Sequence, residues 1–135
     1  MLNEHVARRG LMCALSSPSG AGKSTLIDVL AGFQLPTSGQ VLANGQPVTP
    51  DMLESWRRQT AAIPQYPYIF SGSLADNVRF YMPEASDAEV AKAISAAGLT
   101  KLLTSLSAGL HEPIGAGGRQ LSGGQEQRVA LARAL

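Results

Sequence analysis

Leu11-Met12-Cys13-Ala14-Leu15 runs into Ser16-Ser17-Pro18-Ser19-Gly20-Ala21-Gly22-Lys23-Ser24-Thr25, and from there into Leu26-Ile27-Asp28-Val29-Leu30. A short apolar run stopped by serine, proline and glycine reads as a buried strand entering a loop. Beyond the loop, Leu26, Ile27, Leu30 and Phe33 recur at helical spacing, and Gly32 and Pro36 bring the helix to an end. A strand, a glycine loop and a helix in succession open an α/β fold.

The stretch Ser17 to Thr25 resembles the P-loop, Gly-x-x-x-x-Gly-Lys-Ser/Thr. Its chemistry follows from backbone geometry. Glycines let successive N–H groups turn inward as a nest, and the helix N-terminus adds partial positive charge. Ser19, Gly20, Ala21, Gly22, Lys23, Ser24 and Thr25 are the expected phosphate-binding set. Lys23 would reach the β- and γ-phosphates of ATP, and the Ser24 hydroxyl would ligate Mg²⁺. Ser17 takes the place of the motif's first glycine. If that position required a positive φ, serine would cost about 1–2 kcal/mol there.

Working outward, Gln40 to Val48 brackets Asn44-Gly45, a strong hairpin signal. Thr49-Pro50-Asp51 opens a short helix through Trp56, and Thr60 to Ile63 reads as a brief strand stopped by Pro64. Then the texture turns helical. Helices are expected over Ser71 to Phe80, over Asp87 to Ala97 behind a Ser86/Glu89 capping box, and over Leu99 to Leu106. A glycine loop at Gly115 to Gly118 precedes an amphipathic helix from Ser122 to Leu135, with Val129, Leu131, Ala132 and Leu135 apolar.

Composition narrows the classes. The chain has 135 residues, 44% hydrophobic and 16% charged, with a net charge of +1. Charge is low against the usual ~25%, which argues against disorder. The balance offers no basic face for nucleic acid, and 5% aromatics is too little for a base-stacking platform. No apolar run reaches the ~18 residues of a membrane span, and the first residues lack a secretory pattern. Cys13 is alone, so an internal disulfide is impossible; it reads as a buried small hydrophobe in a cytosolic setting. His5 and His111 have no partners at metal-ligand spacing, and Trp56 reads as core cover rather than an adenine platform.

A P-loop alone fits kinases, GTPases, helicases and transport motors. Leu121-Ser122-Gly123-Gly124-Gln125, continuing as Glu-Gln-Arg-Val-Ala-Leu-Ala-Arg-Ala-Leu, resembles the signature motif of ABC-type ATPases. With the P-loop upstream, the resemblance spans Gly10 to Leu135. Ser122, Gly123, Gly124 and Gln125 would lie at a helix N-terminus with donors pointing outward. In that family the loop meets the γ-phosphate held by a second subunit's P-loop, which implies a dimer of ATP-binding domains. Gln65, in Ile63-Pro64-Gln65-Tyr66-Pro67-Tyr68-Ile69-Phe70-Ser71-Gly72-Ser73-Leu74, matches the family's Q-loop glutamine and would help position Mg²⁺ and water.

The stretch after Gln65 is similar to the exporter branch, in which Tyr68, Ile69 and Phe70 would pack on a membrane domain, or else belong to the core. Ile114 to Gln120 holds the place of the exporter X-loop, with Ala116 where many members carry glutamate. The wider phrasing, Ser55-Trp56-Arg57-Arg58 included, is similar to one subunit of bacterial heterodimeric thiol exporters linked to cytochrome bd assembly.

The resemblance implies an incomplete α/β P-loop NTPase of ABC type: P-loop strand and helix, β-hairpin, Q-loop strand, helical subdomain and signature helix. Its divisions would be a partial ATP-binding core over 1–66, a helical subdomain over 67–120, and the signature motif with its helix over 121–135. Expected ligands are ATP and Mg²⁺. Expected partners are a second ATP-binding domain, identical or different, and a transmembrane domain, with no nucleic acid, at the cytoplasmic face of the cell membrane.

The family pattern continues to a Walker B aspartate, a catalytic glutamate and a switch histidine, whereas no Asp or Glu follows Glu126 here. The chain by itself is therefore expected not to hydrolyse ATP. The strands holding Cys13 and Ile63 are expected to leave a gap or pair non-natively, exposing apolar sheet edge. A soluble ABC ATPase of translation or repair, a non-ABC P-loop enzyme and an inactive fragment are the competing readings. Cargo is not legible.

Overall fold

The computed structural model describes residues 14–135. His5, Cys13 and the first part of the expected opening strand lie outside the described residues. Two compact units are present, one ending at Ala61 and one spanning Ala62–Leu135.

In the first unit, helix α1 (Lys23–Leu30) follows the glycine loop. Gly32, at φ +79°, ends it in the left-handed conformation that suits glycine. The helical spacing of Leu26, Ile27, Leu30 and Phe33 is realised, but α1 buries none of its side chains, and Ile27 and Phe33 are 48% and 57% exposed. Strands β1 (Leu42–Ala43) and β2 (Gln46–Pro47) pair antiparallel. Asn44 and Gly45 sit at φ +52° and +79°, the two positive φ values a tight hairpin turn requires. A 3-10 turn at Pro50–Met52 leads into α2 (Leu53–Arg57), the expected short helix.

The strand expected at Thr60 to Ile63 does not form, and the described end of the expected opening strand shows none. Ala14–Leu15 and Thr60–Ile63 carry no strand, and Leu15 and Ile63 are exposed. A strand exists only when a neighbour takes up its N–H and C=O groups, and among the described residues none pairs with either segment. The gap or non-native pairing expected between the strands of Cys13 and Ile63 involves a residue outside the described ones; among the described residues, Leu15 and Ile63 are exposed without a sheet edge.

The second unit holds the core. Leu74, Ile94, Leu99, Ile114, Val90 and Val129 are fully buried in one cluster contributed by several helices and a two-stranded pair. Strands β3 (Gly72–Ser73) and β4 (Pro113–Ile114) pair antiparallel. The helix expected from Ser71 starts later, as α3 (Leu74–Val78), followed by a 3-10 turn to Tyr81. Ser73 is its N-cap: its Oγ accepts from Asp76 N at 3.0 Å and its N donates to Asp76 Oδ2 at 3.1 Å. Ser71 and Gly72 are thereby left outside the helix, and Gly72 joins β4.

Helix α4 (Asp87–Ala96) carries the expected Ser86/Glu89 capping box, and α5 (Thr100–Ser105) follows. Helix α6 (Gly123–Arg133) buries Val129, Ala130 and Ala132. Leu131 and Leu135, expected on its apolar face, are exposed. His111 ends a 3-10 turn, with its Nε2 3.3 Å from Asp87 Oδ2.

Candidate functional site

In the first unit, the loop between Ser17 and α1 turns on Gly20 (φ +83°) and Gly22 (φ +84°), and a Cβ on either would meet nothing within 4 Å. Left-handed glycines of this kind turn backbone N–H groups toward one side as an anion nest, with Gly22 as N-cap of α1. Among described non-glycine residues, positive φ occurs at Asn44 alone. Ser17 therefore carries no left-handed strain, and serine in place of the motif's first glycine is free of the cost weighed above.

Lys23 folds back across the mouth of the loop. Its Nζ donates to the Ser17 carbonyl at 2.7 Å and the Pro18 carbonyl at 2.8 Å, with Ser17 Oγ at 3.4 Å. The ammonium is held by neutral acceptors of the loop itself, and an incoming phosphate oxygen would be a stronger partner for it. Ser24 and Thr25, on the first turn of α1, are exposed, so the Ser24 hydroxyl is accessible to a cation beside the loop. A nest, a lysine at its mouth and a hydroxyl beside it fit a magnesium-bound polyphosphate.

The other half of the expected set is in the second unit. Ser122 is the N-cap of α6: its N donates to Gln125 Oε1 at 2.9 Å, and its Oγ accepts from Gln125 N at 3.4 Å. Gln125 thus serves as the helix's own cap. Gly123 and Gly124 are exposed, and an added Cβ would meet nothing within 4 Å, so the helix end offers bare backbone. Gln65 is exposed, and its carbonyl accepts from Gln127 Nε2 of α6 at 3.2 Å. Gln65, Ile63, Gly124, Arg128 and Leu131 line a shallow groove of about 460 Å³. Gln65 and the signature helix are thereby brought together.

Two residues that sequence reasoning passed over hold this arrangement. Asn77 is fully buried, and its side chain uses its whole hydrogen-bonding capacity. Its Nδ2 donates to the carbonyls of Phe70 and Ser73, each at 3.0 Å. Its Oδ1 accepts from Phe70 N at 3.2 Å and from Arg133 Nη2 at 2.9 Å. Arg133, on the last turn of α6, also donates to the carbonyls of Asn77 (2.6 Å) and Tyr68 (2.8 Å). Its guanidinium lies over the rings of Phe70 and Phe80. Burial pushes the Arg133 pKa down, opposed by the charge of Tyr81. A carboxamide and a guanidinium at these positions look like ordinary polar helix residues until the fold buries them.

Of the three residues after Gln65 singled out above, Ile69 packs against the core, Phe70 is half-buried, and Tyr68 is 77% exposed. Tyr68, Phe80, Tyr81 and Met82 are all exposed large hydrophobics. The loop at Gly115–Gly118 closes on this segment: Ser71 Oγ donates to the Ala116 carbonyl at 2.7 Å, and a Cβ on Gly115 would lie 2.9 Å from the Phe70 carbonyl. At Ala116 the contact is made by backbone, which needs no particular side chain there.

The family model described as ABC transporter matches residues 5–135. The chain is 53% identical over 117 residues to the glutathione/L-cysteine transport system ATP-binding/permease protein CydC of Bacillus subtilis, covering 87% of this chain and 21% of that protein. It is 42% identical over 128 residues to an ATP-dependent lipid A-core flippase of Neisseria meningitidis, again covering 21% of the relative. It superposes with a TM-score of 0.74 and 36% identity on a bacterial Atm1-family ABC exporter solved with ATP bound, covering 86% of this chain and 20% of that one. The chain spans about a fifth of the length of these relatives. With the model matching nearly its whole length, the chain belongs to the ABC transporter family.

Proposed function

We propose that this chain is the ATP-binding part of an ABC exporter, and that the whole protein couples ATP binding and hydrolysis to movement of a substrate across a membrane. The observation that carries the proposal is Lys23, held over a loop turned by two left-handed glycines. Ser19 to Thr25 would hold the triphosphate, and the Ser24 hydroxyl would ligate Mg²⁺; Gln65 is read by resemblance as the Q-loop glutamine. When bound, Mg²⁺ neutralises charge on the β- and γ-phosphate oxygens. Ser122, Gly123, Gly124 and Gln125 present N–H donors and a hydroxyl to the γ-phosphate on a second ATP-binding domain. The ATP-binding core is residues 1–66, the helical subdomain 67–120, and the signature segment 121–135.

The exposure of Tyr68, Phe80 and Tyr81 supports packing of this face on a transmembrane domain, and with it a position at the cytoplasmic face of the cell membrane. Likeness to CydC at 53% identity, against 42% for the flippase, favours a thiol cargo such as glutathione or cysteine for the whole exporter. Calorimetric titration with Mg-ATP tests the nucleotide site. Saturable binding lost in Lys23→Ala is expected, whereas equal binding by both proteins would sink the proposal.

A further inference from the structure

Helix α1 buries none of its side chains, so apolar packing does not fix its direction. It is held at its C-terminal end. Trp56 Nε1 donates to the Leu30 carbonyl at 2.8 Å, and Arg57 Nε donates to the Gly32 carbonyl at 2.7 Å. Thr60 Oγ1 approaches the Ala31 carbonyl between them at 3.4 Å. Trp56 and Arg57 thus hold two carbonyls at the negative end of α1, and the Thr60 hydroxyl, which also lies 3.3 Å from the Trp56 carbonyl and 3.4 Å from that of Arg57, sits beside the third. Ala31 and Gly32 are buried there, and a Cβ on Gly32 would lie 3.0 Å from Trp56 Cδ1.

We infer that Trp56, Arg57 and Thr60 are positioning residues of the nucleotide site: they grip the far end of the P-loop helix and so set where the glycine loop and Lys23 lie. The inference rests on the nucleotide-site reading above. An eight-residue helix is about 12 Å long, so a small pivot at the grip displaces the loop at its other end. Arg57 also places a cation at the pole opposite the phosphates, where it complements the helix dipole. Because the pivot includes the chain's single tryptophan, occupation of the loop has a built-in reporter.

The test titrates the 135-residue chain with Mg-ATP, following tryptophan emission and calorimetric heat in parallel. The expected result is an emission change that saturates with the calorimetric Kd and vanishes in Lys23→Ala. Trp56→Phe, which keeps a ring and removes the donor, and Arg57→Ala are each expected to weaken binding about 2- to 5-fold, with Arg57→Lys recovering part of the loss. Calorimetric binding with no emission change, and an unaltered Kd in both variants, overturns the inference and leaves the nucleotide site standing. Absence of calorimetric binding in the unmodified chain overturns both.

Discussion

Arg133, at the end of α6, and Asn77, next to last in α3, are joined twice: guanidinium to carbonyl at 2.6 Å and guanidinium to carboxamide at 2.9 Å. Through Asn77 the pair also fixes both backbone groups of Phe70. Nearer the start of α6, in its second turn, Gln127 holds the Gln65 carbonyl. The segment from Gln65 to Phe70 is therefore fastened to one helix at two places, and in the whole transporter it should move with that helix.

Loss of this pair should be costly. Asn77→Leu removes four hydrogen bonds and strands backbone groups of Phe70 and Ser73 in the interior. A loss of about 2–4 kcal/mol is expected. Arg133→Ala leaves Asn77 partly unsatisfied and should cost less than Asn77→Leu. Urea unfolding of each variant checks the order; equal and negligible losses would show that the network holds nothing.

Glycines in the loop after β4 answer to close approach. A Cβ on Gly118 would lie 2.5 Å from the Pro113 carbonyl. Gly115 combines a φ of +78° with the nearby Phe70 carbonyl. Each Gly→Ala change should destabilise the second unit by about 1–3 kcal/mol. Gly117→Ala separates the two causes, since its φ is positive but its surroundings are open. It should cost the least in the same melts.

What could be read from the sequence follows the range of the interactions. The hairpin at Asn44-Gly45, the capping box at Ser86 and the signature helix are local, set by turn chemistry and caps within a few residues. The P-loop glycines were legible for the same reason. The strand expected at Thr60 to Ile63 depends on partners distant in sequence and does not form. The helix expected from Ser71 was misplaced at its start because β3 pairs with β4, some forty residues away by the register Gly72 to Ile114. Ser73 and Asp76, a capping box in plain view, could have corrected it. Asn77 and Arg133 left no local trace, since their value comes only from burial.

Acid should weaken the second unit. The Ser73 hydroxyl lowers the Asp76 pKa, a hydrogen bond from Arg79 lowers that of Asp87, and backbone N–H groups of Ser86 and Ala108 lower those of Glu89 and Glu112. A depressed folded-state pKa means the unfolded chain binds protons more readily. The stability these groups contribute is present above their ordinary values of 3.8 and 4.5 and is lost as pH falls through the folded values. Urea midpoints should hold steady near neutrality and drop below about pH 4. Glu89→Gln should flatten part of that acid limb.

Gly123 and Gly124 separate folding from function. Both lie on the first turn of α6 with open space where a side chain would stand. Alanine is the better helix former by about 0.5–1 kcal/mol, so Gly123→Ala and Gly124→Ala should leave the melting temperature unchanged or slightly raised. On the proposed reading, the same methyl groups would cover N–H donors that meet a second domain's triphosphate. On the function proposed above, ATP-driven closure of two ATP-binding domains and ATPase activity of the whole protein should both fall, with the fold intact. A loss of stability in either variant, or full activity in both, would mean that these glycines serve the helix and not a ligand.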